Sequence, residues 1–382
     1  DNAPPGLGFS SGNIVGISEL DVESVELING ASSALYGPGG LNGVILMTSK
    51  SPFEYQGLSV GLRMGLMHVG ADYQDSPDPM YDFNLRYAKS FNDKFAFKVN
   101  FSYLTANDWQ ANDLRDNNNL NDPSLTRLTN EGYDGVNTYG DEAFLPTDIA
   151  DFAEVTGQGT ALAEGLQPGT PEFDARAAQI AALFPESQFV TRDGYLESDL
   201  ADYNTSSFKS NLSLHYRITE NVELIASGGY NRGTAVYTAS SRFSLVDFAL
   251  YNAKLEVRGP KFFLRAWTTG ENAGDTYDIG GVALQMNESW KGTEQWYTDY
   301  INGFVTSRLL GNSLDQAYTF GRSLANNRDA NGNILNPNLP FRPLPGDPEF
   351  ETLVNQIRSQ PISGQVETSV NTVSGAGVTD FS

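Results

Sequence analysis

The stretch Tyr81-Asp82-Phe83-Asn84-Leu85-Arg86-Tyr87-Ala88-Lys89-Ser90-Phe91-Asn92-Asp93-Lys94-Phe95-Ala96-Phe97-Lys98-Val99-Asn100-Phe101-Ser102-Tyr103 decides how this chain is read. Tyr81, Phe83, Leu85, Tyr87 and Phe91 fall on one face of its first half, against Asp82, Asn84, Arg86, Ala88 and Ser90. In the second half Phe95, Phe97, Val99, Phe101 and Tyr103 stand opposite Lys94, Ala96, Lys98, Asn100 and Ser102. A period of two marks strands with unlike faces, and Asn92-Asp93 supplies a tight hairpin turn. Each strand runs for about ten residues, the length that a tilted strand needs to cross a bilayer.

Working outward, the alternation returns at 58–69, 208–218, 222–230, 248–257 and 262–268, which makes seven strands with the hairpin above. Asn92-Asp93, Thr219-Glu220-Asn221 and Arg258-Gly259-Pro260-Lys261 are short turns, each at the same end of the strands. The other end carries the long connections: about ten residues after the first strand, then 105–206, 233–247 and 270–382. Outer-membrane barrels sort their loops this way, with short periplasmic turns and long extracellular loops. The expected fold class is therefore all-β, a transmembrane antiparallel barrel. A soluble sandwich with one wet face also alternates, but its strands are usually shorter and its loops have no reason to sort. Seven is an odd count, and an open sheet leaves backbone groups unpaired in hydrocarbon. The reading thus expects an incomplete barrel whose native chain continues past Ser382, with 270–382 as an unfinished loop lacking its returning strand.

Composition narrows the function. Asp and Glu number 47 against 24 Lys and Arg, a net charge of −23 that repels a phosphate backbone and argues against nucleic acid as a partner. Zero cysteines remove disulfides, thiolate nucleophiles and cysteine zinc sites. No apolar run reaches the roughly 18 residues of a spanning helix. Residues 105–206, with 19 acidic and four basic residues, supply −15 of the net charge. Within them Thr170-Pro171-Glu172-Phe173 predicts a helix start, followed by Ala177, Ile180, Ala181 and Phe184 at helical spacing. Asp347-Pro348-Glu349-Phe350, with Leu353, Val354 and Ile357, predicts a second one.

The first fifty residues differ in texture. Val22, Val25, Leu27 and Ile28 predict one buried apolar element and Val44, Ile45, Leu46 and Met47 another, around a turn holding Gly30, Gly37, Gly39, Gly40 and Gly43. Neither dinucleotide-binding nor P-loop glycine spacing fits, because Asn42 falls where a third glycine is needed and no lysine follows in register. Val22, Glu23, Val25, Glu26, Gly30, Ser32, Ala34, Leu35, Tyr36, Gly37, Asn42, Gly43, Val44, Ile45, Thr48 and Lys50 match, position by position, a strand, turn and strand that end a known plug domain. The segment resembles the plug of TonB-dependent outer-membrane receptors, in a texture similar to Bacteroidetes-type members that include the SusC-like group. Pro38-Gly39-Gly40-Leu41 replaces the Ser-Arg-Gly-Ala element usual in that group.

The resemblance implies residues 1–50 as the end of a plug and 51–382 as the first part of a barrel. It implies Glu23, Glu26, Gly30, Ser32, Tyr36, Gly37, Asn42 and Gly43 as a structural plug signature. It also implies active import of a ligand across the outer membrane, with no chemistry on the ligand and no cofactor. Implied partners are a TonB-type energy-coupling protein, a SusD-like surface lipoprotein, the lipid bilayer and lipopolysaccharide. Asn2, Phe9, Asn13, Trp109, Tyr133 and Tyr139, on the first segment and the acidic loop, are the candidate ligand contacts. Two other functions fit the pattern: a receptor-like barrel that serves a larger outer-membrane complex, and a soluble β-rich glycan binder.

Other chemistry is thinly represented. His68 and His215 are expected as ordinary strand residues, without metal or triad roles. Asp329-Ala330-Asn331-Gly332-Asn333 opens like a calcium loop, but Pro340 stands where the closing Glu is required, so a turn is expected. Asp113, Asp116, Asn117 and Asp122 carry oxygen ligands for a hard cation, at a density the acidic composition alone explains.

Overall fold

In the computed structural model, residue 14, residues 16–30, 43–68, 76–141, 147–238 and 241–360 are described, with the backbone of 375–380. The chain divides into two compact units, one of residues 1–110, 202–277 and 361–382, the other of 111–201 and 278–360.

In the first unit, β1 (Val22–Asn29) and β2 (Gly43–Ser49) form a two-stranded antiparallel sheet. The main sheet is a meander of β3 (Gly57–Met67), β4 (Asp78–Phe91), β5 (Phe95–Asn107), β6 (Asn204–Thr219), β7 (Val222–Thr238), β8 (Arg242–Gly259) and β9 (Phe262–Asn272). An eighth strand, β10 (Gly375–Asp380), pairs antiparallel with β9, Leu264 opposite Val378. The returning strand that the sequence reading lacked is therefore present, in a glycine-rich stretch without aromatic alternation. The sheet stays open, with β3 and β10 at its edges.

All seven expected strands form, most of them longer than expected. The connection placed at 233–247 is mostly strand: Ala235 pairs with Leu245 and Tyr237 with Phe243. A register shift beyond Gly233 and a positive φ at Asp247 break the alternation there, which hid the hairpin from the sequence. The short turn between β4 and β5 forms as expected, with φ of 50° at Asn92 and 52° at Asp93.

Register aligns like with like across the sheet. Leu62 faces Phe83, which faces Tyr103, which faces Phe208. Leu214 faces Ala226, then Leu255, then Ala266. Rings interlock along this face, with centroids 6.1 Å apart for Phe83 and Phe101 and 5.3 Å for Phe101 and Phe208. Leu58, Leu62, Met64, Leu214, Tyr216, Leu255 and Leu264 are exposed on it. The opposite face carries Asp82, Asn84, Arg86, Lys98, Asn100, Ser213, His215 and Glu256, all buried. Residues 18–21 and 49–55 bond to Asn84, Arg86 and Lys98 on this face.

The second unit replaces the two loops expected at 105–206 and 270–382, and adds helices to a fold expected to be all-β. α1 (Ala153–Ala163) and α2 (Pro171–Ala181) come from the first segment; α3 (Ile279–Trp290), α4 (Thr293–Leu309), α5 (Leu314–Asn326) and α6 (Pro348–Arg358) come from the second. Both expected helix starts are present. Thr170 caps α2 by accepting the Phe173 amide at 3.3 Å, whereas the Asp347 carboxylate takes Arg328 and the Leu344 amide instead of capping α6. One core joins the segments: Ile149, Ile180 and Val190 pack with Trp296, Tyr300, Phe304 and Ala317. α4 and α5 approach closely, since a Cβ on Gly321 would lie 2.8 Å from the Tyr300 carbonyl oxygen.

Candidate functional site

The sheet's buried face owes its chemistry to the strand period, which gathers its polar residues on one side. Asp21, just before β1, is its centre. Its Oδ1 accepts Arg86 Nε at 2.8 Å and its Oδ2 accepts Lys98 Nζ at 2.7 Å, all three side chains at most 3% exposed. Lys98 also donates to Ser49 Oγ at 2.6 Å and to the Lys50 carbonyl at 2.8 Å, while Arg86 donates to the Tyr55 carbonyl at 2.8 Å. Two cations of the main sheet thus hold one carboxylate and both ends of the β1–β2 hairpin. Such a triad has little tolerance for losing a member, because the remaining charges stay buried without a counter-charge.

A second cluster surrounds it. Asn84 donates to Asp82 at 2.8 Å and accepts the Ser102 hydroxyl at 2.6 Å. Arg63 bridges Asp82 to Glu19, with Nη1 2.9 Å from the Glu19 carboxylate. Further along, His215 is bonded at both ring nitrogens, Nε2 to Ser213 Oγ at 2.8 Å and Nδ1 to Glu223 at 2.7 Å. Arg258 completes this chain at 2.9 Å from Glu223. The order Ser, His, Glu repeats the connectivity of a hydrolytic triad, which the sequence reading did not expect. The available signal was Ser213-x-His215 on one strand face, two residues apart. Ser213 is 3% exposed and its hydroxyl is engaged by the imidazole, so the chain fixes the plane of the ring.

Phe53, in the linker between β2 and β3, covers this ring edge-on, centroids 6.3 Å apart with an interplanar angle of 89°. The Arg217 guanidinium lies 3.9 Å from the centre of the Phe53 ring. Neither Phe53 nor Asp21 was singled out by the sequence, because a single aspartate or phenylalanine carries no pattern.

Of the expected plug signature, Glu23 and Glu26 are exposed on β1, and Gly30 adopts a φ of 89° that suits glycine. A Cβ on Gly43 would sit 2.9 Å from the Ile28 carbonyl oxygen, which accounts for the glycine there. Ser32, Tyr36, Gly37 and Asn42 lie outside the described residues, as do Asn2, Phe9 and Asn13. The hairpin is not buried as expected: Val25, Leu27, Ile45 and Met47 form an exposed apolar face. Trp109 is exposed, Tyr139 donates to the buried Glu197 at 2.8 Å, and Tyr133 is buried with its hydroxyl on the Leu114 carbonyl.

That unit has its own ionic centre. Arg322 pairs with Asp193 at 2.9 Å and with Glu131, beneath the rings of Trp296 and Tyr300. Burial alone would raise the Asp193 carboxyl, but Arg322, Arg342 and Arg127 outweigh it and hold the group well below the ordinary carboxylate range. Burial pulls the Arg192 guanidinium down to about 10, with Glu288 opposing. Asp329 accepts the amides of Asn331 and Asn333 at 2.9 Å, the turn expected of it. Asp116 takes Asn118 and Asn130, and no group of three metal-ligating side chains occurs among the described residues.

What the fold and site define is an open antiparallel meander with its polar face buried and its apolar face exposed, joined in one chain to a helical unit. No protein-family model matches the chain. No curated protein is significantly similar to it.

Proposed function

We propose that the chain is part of an outer-membrane β-barrel that imports a ligand with a TonB-type partner, residues 14–50 belonging to the plug and β3 to β10 to the wall. One observation carries the reading: apolar residues line the exposed face of successive strands, and polar and charged residues line the buried one. A soluble sheet buries the opposite set, whereas a barrel wall faces lipid outside and protein or water within. The resemblance of residues 22–50 to receptor plugs supports the same assignment. In it, Asp21 is the most buried ionic contact between plug and wall, the helical unit is extracellular, and a surface lipoprotein of the SusD-like kind is a candidate partner for that unit.

Ala226 and Ser227 are neighbours on opposite faces, which allows a direct test. An arginine facing the bilayer midplane costs about 2–4 kcal/mol, so Ala226→Arg should sharply reduce the folded, heat-modifiable form in outer-membrane fractions. Ser227→Arg should keep most of it. Equal yields of the two, or a protein recovered without detergent, would refute the membrane assignment and favour a soluble sheet.

A further inference from the structure

Two groups of attachments hold the chain before β3, and they differ in kind. The first is mainly ionic, with Asp21 on Arg86 and Lys98 and Glu19 on Arg63, and is completed by Ser18 on Asn84 and by Ile14 packed against Leu245 and Phe248. The second is the linker 50–56, held by dispersed contacts: Phe53 between His215 and Arg217, the buried Pro52, the Tyr55 carbonyl on Arg86, and Gln56 Oε1 accepting the Ser90 amide at 3.1 Å. The bonds at both ring nitrogens of His215 fix the plane of the ring that Phe53 packs against. The hairpin between the attachments adds little, being exposed along most of its length.

We propose that Phe53 is a clasp that keeps the linker docked when the upstream segment leaves the wall, so that the ionic contacts centred on Asp21 are the ones that release and the moving part ends near Lys50. The proposal rests on the reading of residues 14–50 as a plug. A carboxylate held by two cations is lost in one event, since displacement of a few ångströms lets water solvate all three groups. The linker has no such single point. Its contacts reach β4 and β6, and Arg217 is itself tied to the turn after β4 by a 3.4 Å bond to the Asp93 carbonyl.

Amide hydrogen exchange of the full-length protein in lipid nanodiscs, followed across a urea series, separates the two attachments. Three peptides report: 18–29 for the released segment, 51–56 for the linker and 95–103 for the wall. The segment 18–29 should open at a lower urea concentration than 51–56. Asp21→Asn should bring the opening of 18–29 forward and leave 51–56 in place. Phe53→Ala should cut protection of the linker amides, Glu54 and Tyr55 on the Ser51 carbonyl among them, at least tenfold, with Phe53→Leu intermediate. A single shared opening of both peptides in the parent protein, or an unchanged linker in Phe53→Ala, overturns the clasp. The wall peptide tests the underlying reading separately: its loss together with the linker would sink the barrel assignment, whatever the order of the first two.

Discussion

Asp21 shows how much one buried carboxylate can carry. With Arg86 and Lys98 both inside hydrogen-bond distance, replacing it by asparagine leaves two cations buried without a counter-charge. Loss of one partner from such a site costs about 3–5 kcal/mol. Asp21→Asn should therefore lower stability by that order in a urea titration of the refolded protein. The double variant Asp21→Asn with Lys98→Met should lose less than the two single changes added, because the second removes a charge the first left unpaired. Strict additivity would mean that the two groups do not interact. Asp193 makes the complementary case outside the sheet. Its folded value lies below the unfolded one of about 4, so its stabilisation is complete above that pH and is lost only as pH falls through the folded value. The helical circular dichroism should hold from neutral pH to about pH 4 and decline below it. Asp193→Asn should lower the neutral-pH melting temperature and flatten that acid limb, and a melt identical to the parent's would refute the role given to the carboxylate.

Among the elements, α4 and α5 are joined by glycines, and Gly321→Ala would press a methyl onto the Tyr300 carbonyl. Overpacking of this kind costs about 1–3 kcal/mol, to be read as a lower thermal midpoint of the helical signal. Gly311→Ala has open space but a φ of 85° and should cost less. An equal effect of the two would argue against close packing of these helices. The strands were legible because the period of two runs from Tyr81 to Tyr103, interrupted only by Lys89 and the turn, and the helix starts at Pro171 and Pro348 because cap and proline stand together. α3 to α5 were not read, although Trp296, Tyr300 and Phe304 stand four apart and Ser313 with Gln316 forms a capping box. Their neighbours Tyr297, Ile301 and Val305 are also buried, so the apolar stripe of α4 is too wide to show as an amphipathic period. The buried face was half legible: alternation placed Arg86 and Lys98 on one face, but their partner Asp21 lies 65 and 77 residues upstream of them, beyond any local pattern.

For the whole molecule, charge is sorted by region. Residues 105–206 carry 19 acidic and four basic side chains, and Arg115, Arg127, Arg176 and Arg192 are all engaged in ion pairs. The remaining acids repel one another across the surface, an effect that salt screens over about 10 Å at 0.1 M. Added sodium chloride should therefore raise the melting temperature of the helical signal in calorimetry, and a fall would mean that exposed ion pairs outweigh repulsion. The interleaving of the two units also sets a timetable. Ile149, Ile180 and Val190 emerge from the ribosome well before Trp296, Tyr300 and Phe304, with four strands synthesised in between. The first half of the helical core must wait, its apolar side chains uncovered, until the second half is made. Contacts of such long sequence separation slow folding and lengthen exposure to aggregation. A chain cut short before α4 should therefore aggregate more readily than the whole chain, its half of the core left without a partner.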